Sequence, residues 1–438
     1  MTWSIRGVIE GFYGRPWTWD ERVDVMRWCH ERAMTHYLYA PKDDPLHRER
    51  WRDPYPTEEL AGFERLVASE TLQVGFGISP GLSIDYDDDA DRRALAVKVD
   101  QLIEVGVALV CLALDDIPPR PGLGEAHAGL SRWLRDHVDG RASVVLVPTE
   151  YTGTASTPYL DALALGVPHD VPIGWTGETV VCDSISVSQA RARATALGDR
   201  PPLLWDNYPV NDAIMSDRLF LGPLRGREAG LADVCSGYVA NPMVQPYASR
   251  LPLSSTAAYL RGEDPSRVWE QEADALGSRA FAEACDGDHP RELVGALRVA
   301  ASVDRVARLD AIEAWLDEVE ESGPDDTTAL ANEMAPWAEQ CRSEVGLWRA
   351  CARALRALER SNGARATNEA LGLLYLWPGV RRATATVMGP RCSSRPVFGQ
   401  WPDGSWRYDS ESVEEDRNAT DELVRFTLSE VAAWSPDA

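Results

Sequence analysis

Eight short apolar runs, separated by segments with helical periodicity, constrain the fold of this chain more than any other feature of its sequence. The runs are Ile5 to Glu10, Thr35 to Pro41, Gln73 to Pro80, Ala108 to Asp115, Ser143 to Tyr151, Ile173 to Gly177, Pro202 to Tyr208 and Gly237 to Pro242. They recur every thirty to forty residues or so, which reads as strands alternating with helices. Eight such units over about 240 residues match the count and size of a (β/α)8 TIM-type barrel, whose chemistry sits at the C-terminal ends of its strands. An open doubly wound sheet gives the same alternation, but no G-x-G-x-x-G or G-x-x-x-x-G-K-[ST] phosphate loop is there to support a nucleotide site. The residues at the end of each run suit a barrel rim: Glu10-Gly11, Lys42-Asp43-Asp44, Ser79-Pro80-Gly81, Asp115-Asp116, Thr149-Glu150-Tyr151, Trp175-Thr176-Gly177, Trp205-Asp206-Asn207 and Asn241-Pro242.

The pattern changes at about residue 262. Arg291 to Glu321, Thr327 to Arg360 and Ala364 to Met388 carry Ala, Leu and Val on one helical stripe, broken by Ser322-Gly323-Pro324 and Asn362-Gly363. These predict a helical bundle over 262–438, packed on a catalytic barrel over 1–261. Residues 389 to 415 read as irregular, with Trp401, Trp406 and Tyr408 among Gly, Pro and Ser, aromatics that suit packing under a loop better than ligand binding. An amphipathic helix from Thr420 to Trp434 closes the chain.

Composition removes several classes of function. A net charge of −25 over 438 residues argues against nucleic acid or an anionic membrane as partner, because phosphate contacts need a basic footprint, and it suits a neutral substrate. No stretch approaches the roughly 18 consecutive apolar residues of a membrane span, and the first ten residues lack the apolar centre of a secretory signal, so the expected location is the cytoplasm. Eight cysteines stand singly, without zinc or redox spacing, and read as reduced thiols. A homodimer is compatible with this chain, which does not fix its oligomeric state.

Asp115 and Asp116 end the apolar run that starts at Ala108. A strand buried on both faces ordinarily ends in a bland turn. Two adjacent like charges repel unless the site protonates one or gives each a different partner, and that is how an acid and an electrostatic helper are built side by side. The structural alternative is an N-cap pair, but Ile117-Pro118-Pro119-Arg120-Pro121 delays any helix. Lys42 also stands out. Only Lys42 and Lys98 are lysines among 44 basic residues, and a compact ammonium at a strand end suits a crowded polar pocket. Lys98, inside the helical stretch from Arg92 to Val105, reads as chance retention.

These residues also carry a resemblance. GVIEGFYGRPW from Gly7, YLYAPKDD from Tyr37, ISPGL from Ile78, LDD at Leu114, PTEYTGT from Pro148, WTG at Trp175, WDNYPVND from Trp205, LFLGP from Leu219 and ANP at Ala240 resemble the signature set of glycoside hydrolase family 84. That family contains the protein O-GlcNAcases and related bacterial β-N-acetylglucosaminidases. The match runs in order over about residues 4 to 260, at every expected strand end. The resemblance implies a retaining exo-β-N-acetylglucosaminidase acting on a β-GlcNAc-bearing glycoside, glycopeptide or glycoprotein, with neither cofactor nor metal. In such enzymes the substrate's own 2-acetamido oxygen attacks the anomeric carbon and forms an oxazoline, unlike the ordinary carboxylate-pair route.

On that resemblance Asp115 orients and polarises the acetamido N–H, and Asp116 is the general acid and then the base. Tyr151 steadies the acetamido group, Asn207 and Asp212 bind the sugar with Asp212 on its outer hydroxyls, and Trp205 forms an apolar wall. Gly11, Lys42 and Asn241 complete the pocket, with Trp175 at its rim. Bland readings stand beside these: Gly11 as a backbone requirement, Trp175 as core, Glu10 and Glu150 as supports behind the pocket, and Asp43 and Asp44 as braces for the Lys42 loop. Two rival classes are a metal-dependent barrel hydrolase with the aspartates as ligands and a GlcNAc-binding barrel without turnover. The seven histidines form no HxH or HExxH pattern, and the paired aspartates with the tyrosine disfavour a silent barrel.

Overall fold

A computed structural model describes residues 3–322, 328–380, 385–389, 398–400, 406–408 and 418–434. Its strands are β1 (Ile5–Glu10), β2 (His36–Tyr39), β3 (Gln73–Ile78), β4 (Leu109–Ala113), β5 (Ser143–Val147), β6 (Gly174–Trp175), β7 (Leu203–Asp206) and β8 (Gly237–Ala240). All named pairings among them are parallel, in the order β5-β4-β3-β2-β1-β8-β7-β6, and a parallel bridge from Leu146 to Ile173 joins β5 to β6. The sheet therefore closes, and the TIM-type barrel displaces the open-sheet alternative. Helices α1 (Trp19–Glu31), α2 (Thr57–Ala68), α3 (Asp89–Glu104), α4 (Leu123–Val138), α5 (Pro158–Gly166), α6 (Val187–Ala196) and α7 (Pro246–Arg261) form the outer ring.

The expected eight runs contain the eight strands, but every strand after β1 stops two to four residues early. Those extra residues include the polar strand ends, which leave the ladder. Inside the barrel, alternate positions supply Ile5, Ile9, Leu38, Ala40, Leu109, Cys111, Val145, Val147, Leu203, Trp205 and Val239 as one apolar cluster. At Gly77 this interior is filled from outside the sheet. A Cβ there would lie 2.7 Å from the Ala40 Cβ and 3.0 Å from Cε1 of His47, a side chain of the loop after β2 that folds back into the mouth.

Beyond the barrel come α8 (Pro265–Ala275), α9 (Arg279–Asp286), α10 (Asp288–Val299), α11 (Ser302–Glu321), α12 (Ala329–Glu359), α13 (Gly363–Val380) and α14 (Ala419–Ala433), with a core of their own that includes Trp269, Trp315, Trp337 and Trp348. The bundle is tied to the barrel by Trp337, whose indole N–H donates to the Asp217 carbonyl at 2.8 Å, and by Glu333, which accepts the Ala248 N–H at 2.9 Å. Two expectations need correction. Arg291 to Glu321 is two helices, parted at Ala300, whose extended backbone turns the apolar stripe to a new direction. The helix expected over Ala364 to Met388 ends at Val380, and Thr386 pairs instead with Arg218 of the barrel. Within the stretch read as irregular, Phe398–Gln400 and Trp406–Tyr408 pair as a short antiparallel ribbon. The side chains of Trp406 and Tyr408, and all of Trp401, lie outside the described residues. Among the described residues no helix is long and apolar enough to cross a membrane.

Candidate active site

Successive strand residues point to opposite faces, so a straight β4 would send Asp115 and Asp116 apart. The strand ends at Ala113, and Asp116 takes a left-handed φ of +52°, which turns both carboxyls into the mouth. Holding a non-glycine residue there costs on the order of 1–3 kcal/mol and needs fixed surroundings. Thr149 supplies part of that, its hydroxyl donating to the Leu114 carbonyl at 2.6 Å.

The two carboxyls have unlike partners. Lys42 donates to Asp115 Oδ2 at 2.5 Å with both side chains buried, while Asp115 Oδ1 is buried with no hydrogen-bond partner among the described residues. Asp116 accepts from two phenols, Tyr151 on Oδ1 at 2.9 Å and Tyr13 on Oδ2 at 2.8 Å. Burial alone would lower the Lys42 ammonium, but Asp115 and Asp116 beside it carry it above its ordinary value. Tyr13 is pushed up to about 12 by burial and by the charge of Asp116, and Tyr151 moves the same way for the same causes, so both phenols keep their protons as donors.

The remaining expected residues gather around this pair. Trp205 is buried as a wall, 6.0 Å from the Lys42 nitrogen to its ring centroid, and donates to Asn207 Oδ1 at 2.8 Å. Asn241 donates to that same oxygen at 3.0 Å and accepts the Gly11 N–H at 3.2 Å. Gly11 is a steric requirement whatever else it does, since a Cβ would lie 2.4 Å from the Trp205 ring. Asp212 accepts the Tyr13 main-chain N–H at 2.8 Å, and burial raises it above the usual carboxylate range. Trp175 is fully enclosed and donates to the Gly153 carbonyl at 2.9 Å, the geometry of its packing alternative.

Supports lie behind the pocket. Glu10 is completely buried and accepts from Arg22, the Trp17 N–H and the Tyr37 hydroxyl. Asp44 accepts from Tyr39, Tyr55 and the Leu46 N–H, and Asp43 accepts the Gly14 N–H at 3.0 Å. Glu150 accepts from Thr157. Lys98 is fully buried and donates to the Leu46 carbonyl at 2.5 Å, so it clamps the loop that carries Lys42 and is no chance surface residue.

Sequence reasoning missed three side chains. Tyr13 sits inside the quoted GVIEGFYGRPW motif without an assigned role. Arg48 donates to the Tyr13 oxygen at 2.8 Å and to the Asp116 carbonyl at 3.1 Å. His47, its Nδ1 2.8 Å from the Gly77 carbonyl, is pushed down to about 3 by burial and then by Lys42, and is a neutral filler below the site. In a chain whose cations are nearly all arginine, nothing local marks Arg48. Among the described residues no three His, Cys, Asp or Glu side chains converge as metal ligands.

A family model described as beta-N-acetylglucosaminidase matches residues 6–286. The chain belongs to that family. It is 30% identical over 273 residues to the Protein O-GlcNAcase of Rattus norvegicus and equally to that of Mus musculus, a match covering 58% of this chain and 30% of each relative. The chain thus aligns with under a third of the length of these relatives. Among solved structures it is similar to a mutant of the Thermobaculum terrenum O-GlcNAc hydrolase, with 25% identity and a TM-score of 0.81 over 98% of this chain and 94% of that one. The family assignment agrees with the resemblance carried by the strand-end motifs.

Proposed function

We propose that this chain is a retaining exo-β-N-acetylglucosaminidase that removes terminal β-linked GlcNAc by substrate-assisted catalysis. The observation that carries the reading is the asymmetry of the two aspartates: Asp115 is ion-paired through one oxygen and keeps the other buried and unpartnered, while Asp116 lies at the mouth between two phenols. An unpartnered buried acceptor is costly and suits a donor brought by the ligand. The acetamido N–H is such a donor. As its carbonyl oxygen attacks the anomeric carbon, the nitrogen gains positive charge, and Asp115 stabilises that charge in place. The bond to the aglycone oxygen breaks and Asp116 gives that oxygen its proton. Asp116 then takes a proton from water, which attacks the anomeric carbon and opens the oxazoline, and the two inversions retain configuration. Tyr151 steadies the acetamido group, Asn207, Asp212, Asn241, Gly11 and Lys42 hold the sugar, and Trp205 walls it.

The test compares aryl β-glycosides of N-acetyl and N-trifluoroacetyl glucosamine. Fluorine withdraws electron density from the attacking oxygen, so the trifluoroacetyl substrate is expected to react markedly slower. Equal rates, with glycosidic cleavage rate-limiting, overturn the oxazoline route. A GlcNAc-modified protein is the proposed natural substrate, in keeping with the names of the rat and mouse relatives. Faster turnover of chitobiose or a muropeptide than of a GlcNAc-peptide overturns that choice.

A further inference from the structure

Asp116, the proposed acid, is held by more than its own strand. Its carboxyl accepts from Tyr13, its main-chain carbonyl accepts from Arg48, and Arg48 also donates to the oxygen of Tyr13. A guanidinium presents its donors in a rigid planar fork, so one group holds two acceptors at a fixed angle, where a lysine's donors rotate on a flexible stem. The fork closes a ring of contacts around the one position where β4 leaves ordinary strand geometry, the left-handed Asp116. Arg48 is buried, whereas Tyr13 is 38% exposed at the mouth. Through its main-chain N–H, Tyr13 is also joined to Asp212.

We infer that Arg48 is a positioning residue for proton donation: with Tyr13 it locks the backbone and the carboxyl of Asp116 in the orientation that reaches the leaving-group oxygen. This rests on the proposed role of Asp116 as the acid. A misaligned acid is felt most where the departing oxygen needs its proton, and little where the leaving group departs unaided. Loss of the fork therefore acts selectively on poor leaving groups, unlike a general loosening of the site.

The experiment measures kcat and KM of wild type, Asp116→Asn, Arg48→Gln, Tyr13→Phe and the Arg48→Gln/Tyr13→Phe double variant. The substrates are a Ser-linked GlcNAc peptide, whose leaving group is an alkoxide, and the 2,4-dinitrophenyl β-N-acetylglucosaminide. Arg48→Gln and Tyr13→Phe are each expected to lower kcat/KM, which reports cleavage of the glycosidic bond, by about 10- to 100-fold on the peptide and by less than about threefold on the dinitrophenyl substrate. The double variant should be no worse than the poorer single one, because residues acting as one unit are not additive. Equal losses on both substrates, or losses confined to KM, overturn the inference. If Arg48→Gln does not fold by circular dichroism, Tyr13→Phe at its exposed position decides alone, and a uniform loss there overturns the inference. A wild type that cleaves both substrates, with a leaving-group-dependent loss in Asp116→Asn but none in Arg48→Gln or Tyr13→Phe, overturns only the inference. No turnover by wild type overturns the functional reading and the inference together.

Discussion

Glu10 and Asp115 are both carboxylates at barrel strand ends, both buried against a cation, and they are finished differently. Glu10 meets Arg22 through two donors, at 2.8 and 2.9 Å, and also accepts from Trp17 and Tyr37, so that both oxygens are occupied. Asp115 meets Lys42 through one oxygen and leaves the other without a partner among the described residues. A saturated buried carboxylate has nothing to offer a ligand and serves the fold. An unsaturated one carries a desolvation cost that only an incoming donor relieves, the mark of a group kept for binding. The contrast also separates the cations: the arginine fork fills its partner, and the single ammonium leaves room.

The widest gap should open with Arg22→Met. It leaves Glu10 buried without its cation, and breaking such a pair costs about 3–5 kcal/mol of stability. Urea unfolding should show that loss, while molecules still folded should keep far more of their activity than of their stability. A collapse of kcat at unchanged stability would break the distinction. Asp115→Asn is the converse. It should lower kcat/KM by about 10²–10³-fold for every aryl leaving group, as loss of a preorganised electrostatic partner does. Because asparagine still gives Lys42 an acceptor, unfolding should shift less than in Arg22→Met. A steep dependence on leaving-group acidity would mean that Asp115 is the acid.

Glu344 of α12 supplies a smaller, third case. It is buried with no cation beside it among the described residues, accepts from Gln340, Thr420 and Asn418, and burial raises it to about 7, against donors that pull the other way. A carboxyl raised in the folded state stabilises fully below its unfolded value of about 4.5, and that contribution fades as pH climbs through about 7. Stability of the bundle should thus fall between those limits by roughly 1–3 kcal/mol. Glu344→Gln, which keeps the shape without the titration, should flatten the slope, and an unchanged slope would assign it to other groups, Glu333 foremost, also raised to about 7 by burial.

The barrel was legible because each strand reads as a short apolar run and each strand end as a polar cluster, two local signals that the closed sheet preserves. Asp115, Asp116 and Lys42 were legible for a related reason: charge where apolar burial should continue, and lysine where the chain elsewhere uses arginine. What the sequence hid depends on contacts between distant loops. Arg48 acts only because the loop after β2 brings it to Tyr13 and Asp116, and His47 only because Gly77 leaves space for its ring. The break at Ala300 was hidden because alanine suits a helix and nothing local announces the bend.

Both lysines of the chain are buried, Lys42 in the pocket and Lys98 under the loop beside it, while every other cationic side chain counted with them is an arginine. A protease that cleaves only after lysine therefore meets no target on the folded barrel. Its cut sites lie where the mouth is assembled, one on the loop after β2 and one inside α3. Cleavage by it reports opening of the barrel itself, at the equilibrium population of the opened form when reclosing is fast, and substrate in the pocket, by holding Lys42 in place, should slow the first cut.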